Sequence, residues 1–248
     1  MNRVDKKREK SMRFCLRRPF SGRLSLAVLL AVTAIPGRAF AAGDLKATLA
    51  RLDAAAAGFR STTANFEFIS IQTDPVPDKD VQTGVVYYQR TGSNFQMGLH
   101  IDQVNGEKAP RIIVCCQGGN VRLFDEKMNH VTVLNKISQY QSWFMLGFGA
   151  SGRELAEKFD ITDDGAETVD GVKTEKLEMI PRDPNVRRNV AKITLWMDLD
   201  RGVSLKQRFD EDPSHYRVCT YSNIRMNQSV PRDAFTFRTN KQTTVSSQ

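Results

Sequence analysis

Residues 146–160 (LGFGASGRELAEKFD), 169–183 (VDGVKTEKLEMIPRD), 193–209 (ITLWMDLDRGVSLKQRF) and 221–238 (YSNIRMNQSVPRDAFTFR) decide the fold. In the last three, apolar and polar residues alternate over short runs that end in turn residues. Leu177 and Met179, then Leu195 and Met197, stand two apart, which puts each pair on one face of a strand. Asp164-Gly165, Asp170-Gly171 and Asp200-Arg201-Gly202 mark turns between them. The first stretch contains Ser151-Gly152-Arg153-Glu154, the form of a capping box, and predicts a helix from Gly152 to about Phe159. Ser151 is therefore read as a helix cap.

The same alternation runs upstream. NFEFIS (65–70), VQTGVVYYQR (81–90) and SNFQMGLHID (93–102) are followed by RIIVCC (111–116), NVRLFDE (120–126) and HVTVLN (130–135). Phe95, Met97, Leu99 and Ile101 alternate strictly, the mark of an antiparallel strand with one buried face. Ahead of them, Leu45, Leu49, Leu52, Ala56 and Phe59 recur at spacings of three and four and predict an amphipathic helix, with Gly58 as its stop. Residues 140–148 (YQSWFMLGF) are apolar without period two and read as a short helix. About eleven strands and three helices are expected, as a curved antiparallel sheet with helices over one side, and the stretch 234–238 (AFTFR) is taken as the last strand.

The formal charge of +8 belongs to the front of the chain: residues 1–41 hold ten Lys/Arg and two Asp/Glu, and the rest holds 26 of each sign. That balance excludes a nucleic-acid surface built on net charge. The front segment has the parts of a secretory signal: a basic region through Arg23, an apolar core over residues 24–35, and Ala39-Phe40-Ala41 before a cleavage point at Ala42. Twelve residues fall short of the roughly 20 that a membrane helix needs. Arg17-Arg18-Pro19-Phe20 leaves both the general secretory and the twin-arginine routes open, and Met12 is an alternative start. The expected division is a cleavable signal over 1–41, one domain over 42–240, and a polar, frayed tail over 241–248. Cys115, Cys116 and Cys219 remain after cleavage. Cys115 and Cys116 point to opposite faces of a strand; either one pairs with Cys219, or all three are buried thiols.

The order and spacing of these strands and turns resemble the LolA-type carriers of bacterial outer-membrane lipoproteins, over roughly residues 44–239. Three regions carry the resemblance: VVYYQRTGSNFQMGL (85–99), RIIVCCQGGNVRLFDEKMNHVTVLN (111–135) and the C-terminal series quoted above. In the first, Arg90 and Phe95 match the family's strand–turn–strand, with Thr91 where a proline is usual; in the second, Gln117-Gly118-Gly119 keeps the glycine of the bend and lacks its acid. The resemblance implies an open, unclosed antiparallel β-barrel whose concave apolar side shelters acyl chains, with helices as a lid. It gives Arg90 the role of holding that lid by hydrogen bonds to backbone.

Such a hollow answers a physical need. Burial of a methylene gains about 0.8 kcal/mol, so an acyl chain of about sixteen carbons crossing water alone faces roughly 12 kcal/mol. Phe66, Phe68, Val86, Tyr88, Phe95, Met97 and Leu99 are the candidate lining residues from the strands, and Trp143, Phe144, Met145, Leu146 and Phe148 those from the lid. Leu177, Met179, Leu195 and Met197 share the alternation, which tells which residues share a face and not which face is concave. The implied function is a periplasmic carrier that moves acylated lipoproteins from the inner towards the outer membrane without covalent chemistry. Its expected partners are the cargo, an inner-membrane lipoprotein-releasing transporter and an outer-membrane receptor, and it is expected to be a monomer. The alternatives are transport of a free lipid by the same fold, or a lipoprotein-sensing regulator; sensors of that kind carry a further domain, for which this length leaves no room. A hydrolase would need a serine, a histidine and an acid in one cleft, and the chain has no G-x-S-x-G motif to support it. His100, His130 and His215 lie far apart, DEDPSH (210–215) lacks the oxygen spacing of a calcium loop, and no C-x-x-C marks a zinc site, so neither cofactor nor metal is expected.

Overall fold

Alternation at period two becomes one twelve-stranded sheet in the computed structural model, which describes residues 43–92, 94–115, 119–135 and 145–247. The signal-like segment, Cys116 and the lid candidates Trp143 and Phe144 lie outside the described residues. Helix α1 (Leu45–Gly58) leads into β1 (Ser61–Gln72), β2 (Asp78–Thr91), β3 (Asn94–Val104), β4 (Glu107–Cys115), β5 (Val121–Asp125) and β6 (His130–Leu134). Then come α2 (Gly152–Lys158), β7 (Phe159–Val169), β8 (Val172–Pro181), α3 (Pro184–Arg187), β9 (Lys192–Asp198), β10 (Val203–Asp210), β11 (His215–Met226) and β12 (Thr244–Ser247). The strands lie in the order β12-β6-β5-β4-β3-β2-β1-β11-β10-β9-β8-β7. Since β12 and β7 stand at opposite ends of that order, the sheet is an open barrel. Every pair is antiparallel except β12 on β6, which is parallel.

Two differences from the sequence reading concern the C-terminal end. The twelfth strand, β12, falls inside the segment expected to be a frayed tail. The stretch 234–238 forms no strand; residues 232–235 are turn, with Ala234 fully buried and Phe237 stacked on Phe124 at 5.0 Å between ring centroids. Its apolar residues are covered, Ala234 fully and Phe235 and Phe237 in part, by lying on the sheet rather than by pairing in it. Gly98 of β3 accommodates this close approach, since a Cβ there would stand 1.8 Å from the Ala234 carbonyl oxygen.

Asn105 and Gly106 between β3 and β4, and Asp170 and Gly171 between β7 and β8, take positive φ at both central turn positions. That backbone twist matches the twist of the flanking strands. Register shifts at Thr63/Asn65, Thr83/Gly84, Ile101/Gln103, Asp163/Ala166 and Ser204/Lys206 bend the sheet.

Directly opposed residues share a face, so the register traces the inner surface. Ile113, Leu99 and Val86 lie in one row, and Phe68, Cys219, Gln207, Leu195 and Leu177 in another. That face carries two clusters. One gathers Ala64, Phe66, Val86, Tyr88, Phe95 and Met97 with Phe59, Phe148 and Tyr221. The other gathers Leu177, Met179, Ile193, Leu195 and Met197 beneath Leu52 of α1 and Leu155 of α2. α2 begins with the complete capping box: the Ser151 hydroxyl accepts from the Glu154 N–H while the Glu154 carboxylate accepts from the Ser151 N–H.

Candidate functional site

The two clusters differ in what covers them. Over β7–β9 the helices close the space. Over β1–β4, β10 and β11 a hollow of about 430 Å³ remains, lined by Phe66, Phe68, Val86, Tyr88, Met97, Leu99, Ile113, Leu146, Phe209 and Tyr221 among others. Of the strand residues singled out from the sequence, Phe66, Phe68, Val86, Tyr88, Met97 and Leu99 line this hollow. Phe95 is buried in the same cluster without bordering the space. Leu177, Met179, Leu195 and Met197 are packed under the helices instead.

Sequence reasoning missed the far wall: Gln207 and Phe209 of β10, and Arg217, Cys219 and Tyr221 of β11. The signal was present in the alternation of Arg217, Cys219 and Tyr221. Its meaning depends on Phe66 facing Tyr221 and Phe68 facing Cys219, which is a matter of pairing.

Residues 145–150 form a turn beside the hollow, where the sequence suggested a helix. Phe148 makes an isolated antiparallel bridge to Val203, and Gly147 and Gly149 hold positive φ, so the backbone does not wind helically. Leu146 lines the hollow. Met145 is half-buried and packs against the first cluster. Phe148, fully buried, stacks on Tyr88 at 4.5 Å and meets Tyr221 edge-on at 4.7 Å.

Arg90, at the rim on β2, ties this turn to α1. Its Nη2 donates to the Gly149 carbonyl at 2.7 Å and its Nη1 to the Ala56 carbonyl at 3.3 Å, while the guanidinium lies 5.6 Å from the Phe59 ring centroid. A cation at the last turn of a helix is favourably placed against the negative end of the helix dipole. A Cβ on Gly149 would stand 2.6 Å from the Phe59 ring, so no larger residue fits between them.

The polar groups in the hollow stay protonated. Burial pushes the Tyr88 and Tyr221 phenols above the ordinary phenol range, and burial pushes the Cys219 thiol up to about 12. Cys219 is a free thiol, which overturns its pairing with Cys115 or Cys116. Cys115, buried at the end of β4, is itself disulfide-bonded. The histidines are dispersed: His100 bonds the Ala234 carbonyl, His130 the hydroxyls of Thr244 and Ser246, and His215 the exposed Asp212 carboxylate. Among the described residues no three His, Cys, Asp or Glu side chains converge to hold a metal ion.

No family model matches the chain. An uncharacterized protein of Methanocaldococcus jannaschii, MJ0687, is 25% identical over 126 residues, which is 51% of this chain and 35% of that protein. The chain thus spans about a third of the curated relative it matches. Among solved structures it is similar to MucB, at 15% identity and TM-score 0.48, over 79% of this chain and 63% of that one. It is similar to the lipoprotein LppX of Mycobacterium tuberculosis at 17% identity and TM-score 0.43, over 75% and 97%. The LolA superfamily protein NE2245 of Nitrosomonas europaea is 14% identical at TM-score 0.37, over 78% and 97%.

Proposed function

We propose that the protein carries the acyl chains of lipoproteins in the hollow between β1–β4 and β10–β11, and moves them from the inner towards the outer membrane. The observation that carries this reading is the apolar hollow on the inner face of an open sheet, bordered by a turn that Arg90 ties to α1. Acyl methylenes entering it leave water at a gain of about 0.8 kcal/mol each. Met97 and the phenylalanines give a deformable lining, suited to cargo that must also be released. Neither phenol nor thiol in the wall is ionised at neutral pH, so the hollow offers shelter rather than a nucleophile. Arg90 holds the lid turn.

The protein matures by removal of residues 1–41 and works in the periplasm as a monomer. It receives cargo from an inner-membrane transporter and hands it to an outer-membrane receptor. No helix among the described residues is long and apolar enough to cross a membrane. Native mass spectrometry of the mature protein from its own periplasm, with lipid extraction, tests the reading. Bound lipoprotein is the expected result. A single free lipid in its place would redirect the reading to lipid transport by the same fold.

A further inference from the structure

Gln207 is an amide in an apolar wall, 4% exposed. On β10 it faces Cys219 on one side and Leu195 on the other. A buried amide costs free energy unless it is hydrogen-bonded, and this one is bonded at both ends. Its Nε2 donates to the Leu146 carbonyl at 2.7 Å, and its Oε1 accepts from the Tyr221 hydroxyl at 3.3 Å. The Leu146 carbonyl, which can only accept, decides which end of the amide faces the turn, and the phenol donates to the oxygen that is left. The turn is pressed onto the amide: a Cβ on Gly147, at φ +77°, would stand 2.4 Å from Gln207 Nε2 and 2.5 Å from Ser204 Cβ.

Tyr88, Tyr221, Gln207 and Leu146 all line the hollow. Arg90 grips the same turn from the rim and does not line it. We propose that Gln207 and Tyr221 form a second latch on residues 145–150, inside the hollow, which the cargo releases by entering. This rests on the hollow being the acyl site. An acyl chain filling the space presses on both members of the latch and on the residue they hold. Shifting Tyr221 frees the amide to turn, and the Leu146 carbonyl loses its donor. On departure of the cargo the bonds re-form, since the emptied wall again buries an amide that needs them. Gln207 and Tyr221 are positioning residues; by linkage, whatever weakens the latch eases entry as much as entry weakens the latch.

The test uses Gln207→Met, Tyr221→Phe and the double variant, each keeping side-chain volume and removing the bond. Amide hydrogen exchange is read at Ser204, whose N–H donates to the Gly147 carbonyl, and at Phe148, whose N–H donates to Met145. Equilibrium binding of a dansyl-labelled undecanoic acid is followed by fluorescence. Each single variant is expected to speed exchange at both amides and to tighten equilibrium binding of the probe by about five- to tenfold, the weight of one net hydrogen bond. The double variant adds little, because the two residues act in series. Unchanged exchange and binding with a lowered Tm alone would reduce both residues to packing and overturn the latch. Full additivity would overturn the series arrangement. Faster exchange in the variants, with no probe bound by any form, would keep the latch and overturn its release by cargo together with the carrier reading.

Discussion

At the scale of single residues, Arg90 joins two carbonyls that lie far apart in sequence, Ala56 and Gly149. Arg90→Leu is expected to leave the protein folded, lower its stability by about 1–3 kcal/mol, and change the rate of acyl-probe uptake. Chemical denaturation and stopped-flow fluorescence measure the two effects; an unchanged uptake rate removes Arg90 from the site. Glu175 offers a pH test. Burial, and the Asp163 carboxylate hydrogen-bonded to it, raise its carboxyl above the ordinary value of 4.5. The folded state therefore binds this proton more tightly than the unfolded one. Its stability falls as pH rises from about 4.5 through the raised value and stays lower above it. Glu175→Gln, which keeps a donor towards Asp163, is expected to equal the parent in acid and exceed it in urea midpoint at neutral pH. A variant no more stable than the parent at pH 7 would refute the assignment. Nothing around Arg90 in the chain names its partners; the resemblance supplied its position, and folding supplied Ala56 and Gly149.

At the scale of elements, the start of α2 was legible because a capping box is local: Ser151 and Glu154 are three apart, and both of its bonds close within that span. Ser151→Ala is expected to cost about 1 kcal/mol, seen as faster amide exchange within α2. The Asp170-Gly171 hairpin was legible for the same reason, since its geometry follows from the residues that tolerate positive φ. Residues 145–150 were not. Their apolar run suggested a helix, yet Phe148 bridges Val203 and Gly147 meets Gln207, contacts supplied by a strand more than fifty residues away. The stretch 234–238 misled in the opposite way. Its alternation is real, and it is satisfied by lying across β3–β5 through Ala234 and Phe237 instead of by pairing.

At the scale of the molecule, the open sheet has two edges, and β12 covers that of β6. Removing residues 241–248 is expected to leave the rest folded and to raise self-association, because an uncovered strand edge pairs with other chains. Sedimentation or light scattering over a concentration series reads this, and a truncated protein that stays monomeric would refute it. The inner face divides into a filled half and a hollow half. Leu195, fully buried in the filled half, should cost about 2–5 kcal/mol on Leu195→Ala. Leu99, half-buried at the hollow, should cost less, because the space beside it already exists.

The sequence by itself determined β1 to β11, the hairpin turns at Asp170-Gly171 and Asp200-Arg201-Gly202, and the two longer helices. Those follow from backbone periodicity and from residues at most four apart. Only the tertiary structure decided which part of the inner face is packed and which is hollow. Leu177 and Met179 lie under α1 and α2, while Leu99 and Met97 border open space, though the same residue types alternate in the same way in both. The far wall was undecided until β11 paired with β1 and brought Cys219 and Tyr221 opposite Phe68 and Phe66. A cavity is space left between elements remote in the chain, and no local pattern encodes its volume.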